Sequence, residues 1–217
     1  MSKQLNKLNN KEFLLDVKQF INSSHNFYGK KNPEIKTLAN RLHQEYKLNS
    51  FYNVFNRLWN AGYHNERVLA VHTLELYEED YDKETWRFLI PKLKKIKDFD
   101  EAEKIGRIIG TIIVKYPAIK NEIVKILNSK NAYYRSIVLS SCFPLIKNKD
   151  WPFIFRVIKN RLYDRETNIQ KLNGRILLDI SINNKTIVKE FILKNIGMPQ
   201  NTFDIVSEKF KDLGKRR

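Results

Sequence analysis

The chain predicts an all-α fold, an α-solenoid of about six HEAT-like helix pairs with a concave basic groove, and three observations carry that expectation. Apolar residues recur at helical spacing in almost every window, and no window alternates convincingly with period two. Similar segments return roughly every 33 to 36 residues. Lys and Arg total 40 against 24 Asp and Glu, a formal net charge of +16.

In chain order, Phe13, Leu14, Val17, Phe20 and Ile21 form the apolar stripe of a first helix. NPEIKTLANRL opens a second, with Asn32 as N-cap and Pro33 at the first helical position, where its missing N–H costs nothing. NSFYNVFNRLWNAG follows, with Ser50 as cap, Phe51, Val54, Phe55, Leu58 and Trp59 inward, and Gly62 at its end. Then come the four recurring segments, HNERVLAVHTLEL, DEAEKIGRIIGTII, AYYRSIVLSSCFPLI and ETNIQKLNGRILLDI, each preceded by a shorter helix. Two helices per unit at this spacing mark an α-solenoid, and without tetratricopeptide consensus residues the HEAT type fits better. Pro91 and Pro144 fall inside helical patterns and should kink or end them. The linkers NSKNA, YDRET and IGMPQ are short and polar, so residues 1–217 read as a single domain with a short basic tail at 214–217.

A 42% apolar content with 12% aromatics is enough to build a core. Cys142 is the one cysteine and has no intramolecular disulfide partner. His25, His43, His64 and His72 show neither HExxH nor ligand spacing, so no metal and no cofactor is expected. MSKQLNKLNNKEF lacks the apolar region of a signal peptide, and the run IIGTIIV is too short to span a bilayer. The expectation is a soluble cytoplasmic monomer without a membrane partner, associated with the nucleoid when bound to DNA.

A pI near 9.8 favours a polyanionic partner, nucleic acid first and an acidic membrane surface second. Lys36, Arg67, Lys104, Arg107, Arg135, Lys171 and Arg175 lie in or next to second-helix segments, and charge repeated on one layer of a solenoid makes a continuous positive track. Each of these side chains, taken singly, is equally well explained as part of a solvated face.

FYGKKNPEIKTLA, LWNAGYHNERVLAV and AYYRSIVL, in that order, make the chain similar to the DNA alkylation repair family, the AlkD-like HEAT-repeat DNA glycosylases, here with divergent catalytic positions. The residues carrying the likeness are Phe27, Gly29 and Pro33, then Leu58, Trp59, Glu66, Arg67 and Ala70, then Arg135, over a span from about Phe27 to about Ile180 judged by the repeat register. The resemblance implies duplex DNA as partner and excision of cationic N3- and N7-alkylated purines without base flipping. It implies a groove site of two tryptophans and an aspartate. Such a leaving group develops oxocarbenium character on the sugar, which a carboxylate and ring faces stabilise while the carboxylate also positions water.

Laid on this chain, the family's first tryptophan and its aspartate fall at Phe99 and Glu103, and Asp100 matches the acid after the second tryptophan of that motif. Bringing Gly110 and Pro117 into line requires a one-residue shift. The family's QKAxGWxLRE corresponds to QKLNGRILLD, so Arg175 stands where a ring would be. Asn32, which the resemblance places as a polar groove residue, joins Lys36, Arg135, Lys171 and Arg175 of the basic track as the expected DNA-binding positions. Phe for Trp weakens the cation–π platform, Glu for Asp moves the charge by one methylene, and Arg for Trp sets a cation beside a developing cation. Typical activity is therefore in question.

The cluster Asp98, Asp100, Glu101 and Glu103 has a second explanation. Asp98 with Glu101, and Asp100 with Glu103, both have capping-box spacing, and acids suit a first helical turn. Two further functional classes stay open: a non-catalytic DNA- or RNA-binding module, and a protein-binding scaffold anchored by Tyr133, Tyr134 and Trp151.

Overall fold

The structure, a computed structural model, describes residues 33–61 and 64–210, and every regular element among them is helical. The expected helix over Phe13–Ile21, the Asn32 cap and the basic tail lie outside the described residues. The chain divides into two compact units, one ending at Asp80 and the other beginning at Tyr81.

The first unit contains α1 (Pro33–Glu45), α2 (Leu48–Asn60) and α3 (His64–Glu75), then a 3-10 turn at Glu78–Asp80. The expected cap at Ser50 is displaced. Leu48 is buried and continues the stripe of Phe51, Val54, Phe55, Leu58 and Trp59 one turn upstream, so α2 begins at Leu48 with Lys47 at its N-cap. Burying the Leu48 side chain contributes about 1.5–3 kcal/mol, against typically about 1 kcal/mol for a side-chain cap. α3 packs on both α1 and α2. Tyr77 closes the unit, its ring stacked on Phe51 at 5.3 Å and its hydroxyl donating to the Tyr46 carbonyl at 2.5 Å.

The second unit starts with α4 (Lys83–Leu93), entered through a capping box in which the Asp82 side chain accepts from Thr85 N at 2.9 Å and Thr85 Oγ1 accepts from Asp82 N at 3.2 Å. Pro91 sits in the last turn of α4, which ends two residues later at Leu93. Next come α5 (Phe99–Lys115), the short α6 (Lys120–Ile123) flanked by 3-10 turns, α7 (Ala132–Ser140), α8 (Cys142–Lys147), α9 (Trp151–Arg161), α10 (Thr167–Asn183), α11 (Lys185–Lys194) and α12 (Gln200–Ser207). α7 stops at Ser140 because Pro144 has no N–H to offer that carbonyl; Ser141 Oγ turns back to donate to the Val138 carbonyl at 2.7 Å.

One layer of this unit runs α5, α7, α10, α12, each helix packed on the next, and α9 and α11 pack on α10 from the other layer. The recurring sequence segments of this unit are therefore the helices that stack. Glycine sets how closely they do so. A Cβ on Gly106 of α5 would lie 2.6 Å from both the Ile137 carbonyl oxygen and Ser140 Cβ of α7, and one on Gly174 of α10 would lie 2.9 Å from the Thr202 carbonyl oxygen of α12.

Candidate functional site

The stacking of α5 on α7 and of α7 on α10 brings the N-terminal half of α5 toward the middle of α10. Four acids at the start of α5 then take four separate positions. The Asp98 side chain is the N-cap and accepts from Glu101 N at 3.0 Å. Glu101 is buried at 8% exposure, while Asp100 is exposed and pairs with Lys104 at 2.7 Å within the same helix. Glu103 reaches across, and its Oε1 accepts from the guanidinium of Arg175 on α10. The capping explanation thus holds for Asp98 and not for Glu103.

Around this pair the charges alternate. Arg107 follows Glu103 by one turn of α5, and its guanidinium sits 3.7 Å from the centre of the Phe143 ring. Asp179 follows Arg175 by one turn of α10, and burial raises its carboxyl above the usual carboxylate range against the pull of Arg107 and Arg175. Two carboxylates and two guanidinium groups are shared evenly between the two helices. On the α5 side Phe99 lies edge-on to Tyr133 of α7, ring centres 5.0 Å apart. Glu103, with its side chain 19% exposed, is the more sheltered partner of its pair, and Arg175, at 42%, is the more accessible.

The remaining candidates separate. Lys171 is exposed one turn before Arg175 on α10. Arg135 is held from four sides: Nε and one terminal nitrogen lie 2.7 and 3.0 Å from the two Asp164 oxygens, while the other terminal nitrogen donates to the carbonyls of Ser129 at 2.8 Å and Lys130 at 3.0 Å. This guanidinium ties the loop before α7 to the loop before α10. Lys36 is exposed on α1 in the first unit, and Asn32 lies outside the described residues. Of the other basic candidates, Arg67 covers the Trp59 ring at 3.8 Å. Sequence reasoning missed Asp179 and Asp164. Asp179 was accessible to it, since it stands four residues after Arg175 on one helical face; Asp164 sits in a loop, where no periodicity points.

No group of three His, Cys, Asp or Glu among the described residues could hold a metal, and no helix among them is long and apolar enough to cross a membrane.

A family model described as DNA alkylation repair enzyme matches residues 1–204 of the chain. Among solved structures, one described as a predicted DNA alkylation repair enzyme from Enterococcus faecalis superposes with a TM-score of 0.69 at 16% sequence identity, covering 95% of this chain and 97% of that one. No curated protein matches the sequence.

Proposed function

Because the chain belongs to the DNA alkylation repair enzyme family, we propose that it binds duplex DNA through a HEAT-like layer of helices and excises cationic N3- or N7-alkylated purines at the α5–α10 seam. The observation carrying this reading is Glu103, a sheltered carboxylate one helical turn after Phe99, meeting a cation it can exchange. In the reaction the C1′–N bond breaks and its electrons leave with the purine, whose positive charge is thereby neutralised. Glu103 stabilises the oxocarbenium, orients water toward C1′ and takes the proton that water releases, with Phe99 supplying a ring face. Asp100 is the neighbouring acid, too exposed and too close to Lys104 to take the same part.

Arg175 has to move for this to happen. A partly exposed ion pair is worth only about 0–1 kcal/mol, so a backbone phosphate competes readily for the guanidinium and leaves Glu103 ionised beside the sugar. Lys171, Lys36 and Asn32 are the further phosphate or groove contacts of this reading, while Arg135, engaged by Asp164 and two carbonyls, acts by fixing the loops before α7 and α10. The chain's charge of +16 supports a polyanionic partner, and no cofactor is needed.

A second reading rests on the same pair. If Arg175 stays on Glu103, the carboxylate is neutralised, and the protein is a non-catalytic binder of DNA or structured RNA. Single-turnover release of 7-methylguanine or 3-methyladenine from methylated duplex DNA, with protein in excess at low salt, decides between them. The glycosylase reading expects release above the spontaneous rate that disappears in Glu103→Gln, with binding retained. Absence of release alongside tight, salt-sensitive binding leaves the binding module.

A further inference from the structure

The other layer of the second unit carries a different surface. On α9, Trp151, Phe155 and Lys159 recur every four residues and so share one face, with Arg156 and Asn160 beside them. These residues line a hollow of about 800 Å³. Phe155 and Lys159 also line a second hollow, of about 340 Å³, that continues to Phe191 and Lys194 of α11 and to Asn195 just past its end. The rings of Phe155 and Phe191 stack at 5.2 Å across the two helices, which makes one floor of the two hollows.

The charge on this floor is one-sided. Arg156, Lys159 and Lys194 are exposed along it, and the one acid that lines it, Glu190, lies 4.0 Å from Lys194. Neither Arg156 nor Lys159 has an acidic partner among the described residues. Trp151 is half-buried, whereas Trp59 and Trp86 are 2% and 6% exposed. A partly open indole on a shallow cationic groove leaves ring surface available to a partner. Rings in line with exposed cations match the needs of a chain whose planar bases are free and whose backbone is anionic: bases stack on aromatic faces while phosphates meet Arg and Lys. A duplex hides its base faces and fits such a floor less well.

We propose that the α9–α11 groove binds single-stranded nucleic acid, with Trp151 stacking on a base and Arg156, Lys159 and Lys194 holding phosphates. None of these residues belongs to the Glu103–Arg175 seam, so the two surfaces are separable by mutation.

Of the three tryptophans, only Trp151 is open to a quencher, so intrinsic fluorescence reports this groove directly. Titration of the full chain at low salt with a twelve-residue oligothymidylate should quench the indole emission, and the quenching should vanish in Trp151→Phe if that indole is the reporter. Loss of the stacked ring in Trp151→Ala should weaken binding about tenfold. The double reversal Arg156→Glu with Lys159→Glu should weaken it further and flatten the salt dependence, with unchanged far-ultraviolet circular dichroism and an unchanged affinity for duplex DNA. The proposal is overturned if oligothymidylate does not quench, if quenching survives the charge reversal, or if a duplex of equal length quenches Trp151 as strongly. It is equally overturned if a polyglutamate peptide competes as well as the oligonucleotide, which would make the partner an acidic protein.

Discussion

Glu103 and Arg175, 72 positions apart in sequence, meet as an ion pair between α5 and α10. They are also the two positions to which the resemblance read in the sequence assigns an acid and a ring, and on which the proposed function rests. The Arg175 guanidinium turns toward the acid, the opposite charge within its reach across the two helices.

Restoring a ring should therefore change the chemistry. Arg175→Trp removes the competing cation from Glu103 and supplies a π face, so single-turnover excision of 7-methylguanine is expected to rise by on the order of tenfold or more, the equivalent of about 1.4 kcal/mol of barrier. Measured beside Arg175→Ala, it separates the two effects: alanine frees the acid and tryptophan adds the ring. Unchanged rates in both variants would show that Arg175 does not limit the reaction.

Arg135 and Lys171 should behave differently although both are basic. Arg135 is engaged by Asp164 and two carbonyls, so Asp164→Ala, which leaves that guanidinium without its counter-ion, is expected to cost about 3–5 kcal/mol of stability in denaturant unfolding. Lys171→Ala should leave stability within about 0.5 kcal/mol. Its effect should instead be on DNA affinity, with the salt slope falling by about one. A Lys171→Ala protein with wild-type salt dependence would remove that lysine from the interface.

Gly106→Ala sets two effects against each other. Alanine favours the helix by roughly 0.5–1 kcal/mol, but its Cβ would lie 2.6 Å from the Ile137 carbonyl oxygen, backbone that yields only if α5 moves off α7. Overpacking of this kind costs about 1–3 kcal/mol, so a net loss and a lower Tm are expected. Because α7 separates α5 from α10, the same variant should loosen the Glu103–Arg175 pair, which a double-mutant cycle with Arg175→Ala would register as coupling.

Alkaline pH should weaken the fold through two buried acids. Burial pushes the Tyr77 hydroxyl up to about 12, with the Asp80 charge adding to it, and burial pushes the Cys142 thiol well above its ordinary value. In both cases the native state favours the protonated form. Their contribution to stability is thus complete below the unfolded-state pKa, near 8.5 for Cys and 10 for Tyr, and is lost as pH rises above it. Tyr77→Phe should flatten the decline between about pH 10 and 12, at the cost of about 0.5–1.5 kcal/mol at neutral pH for the lost bond to the Tyr46 carbonyl. Cys142→Ala should flatten the part that begins lower. Native protein should also resist thiol reagents at pH 8, reacting only on unfolding.

Periodicity alone determined that the chain is helical and which helices recur, because burial of one apolar face is a local property that repeats with the helix turn. It identified the starts near His64, Asp100, Ala132 and Glu166, within a residue of those observed, and it anticipated the break at Pro144. Ser50 misled it, since a good cap was outweighed by one more buried leucine. What each charge near the site does was decided only by the tertiary structure. Asp98, Asp100, Glu101 and Glu103 are one acidic run in sequence, yet they became a cap, a surface pair, a buried acid and a bridge between helices. The reason is geometric. Each successive residue turns about 100° around the helix, and what it then faces depends on helices tens of residues away, brought within reach by glycines whose missing side chains define the spacing.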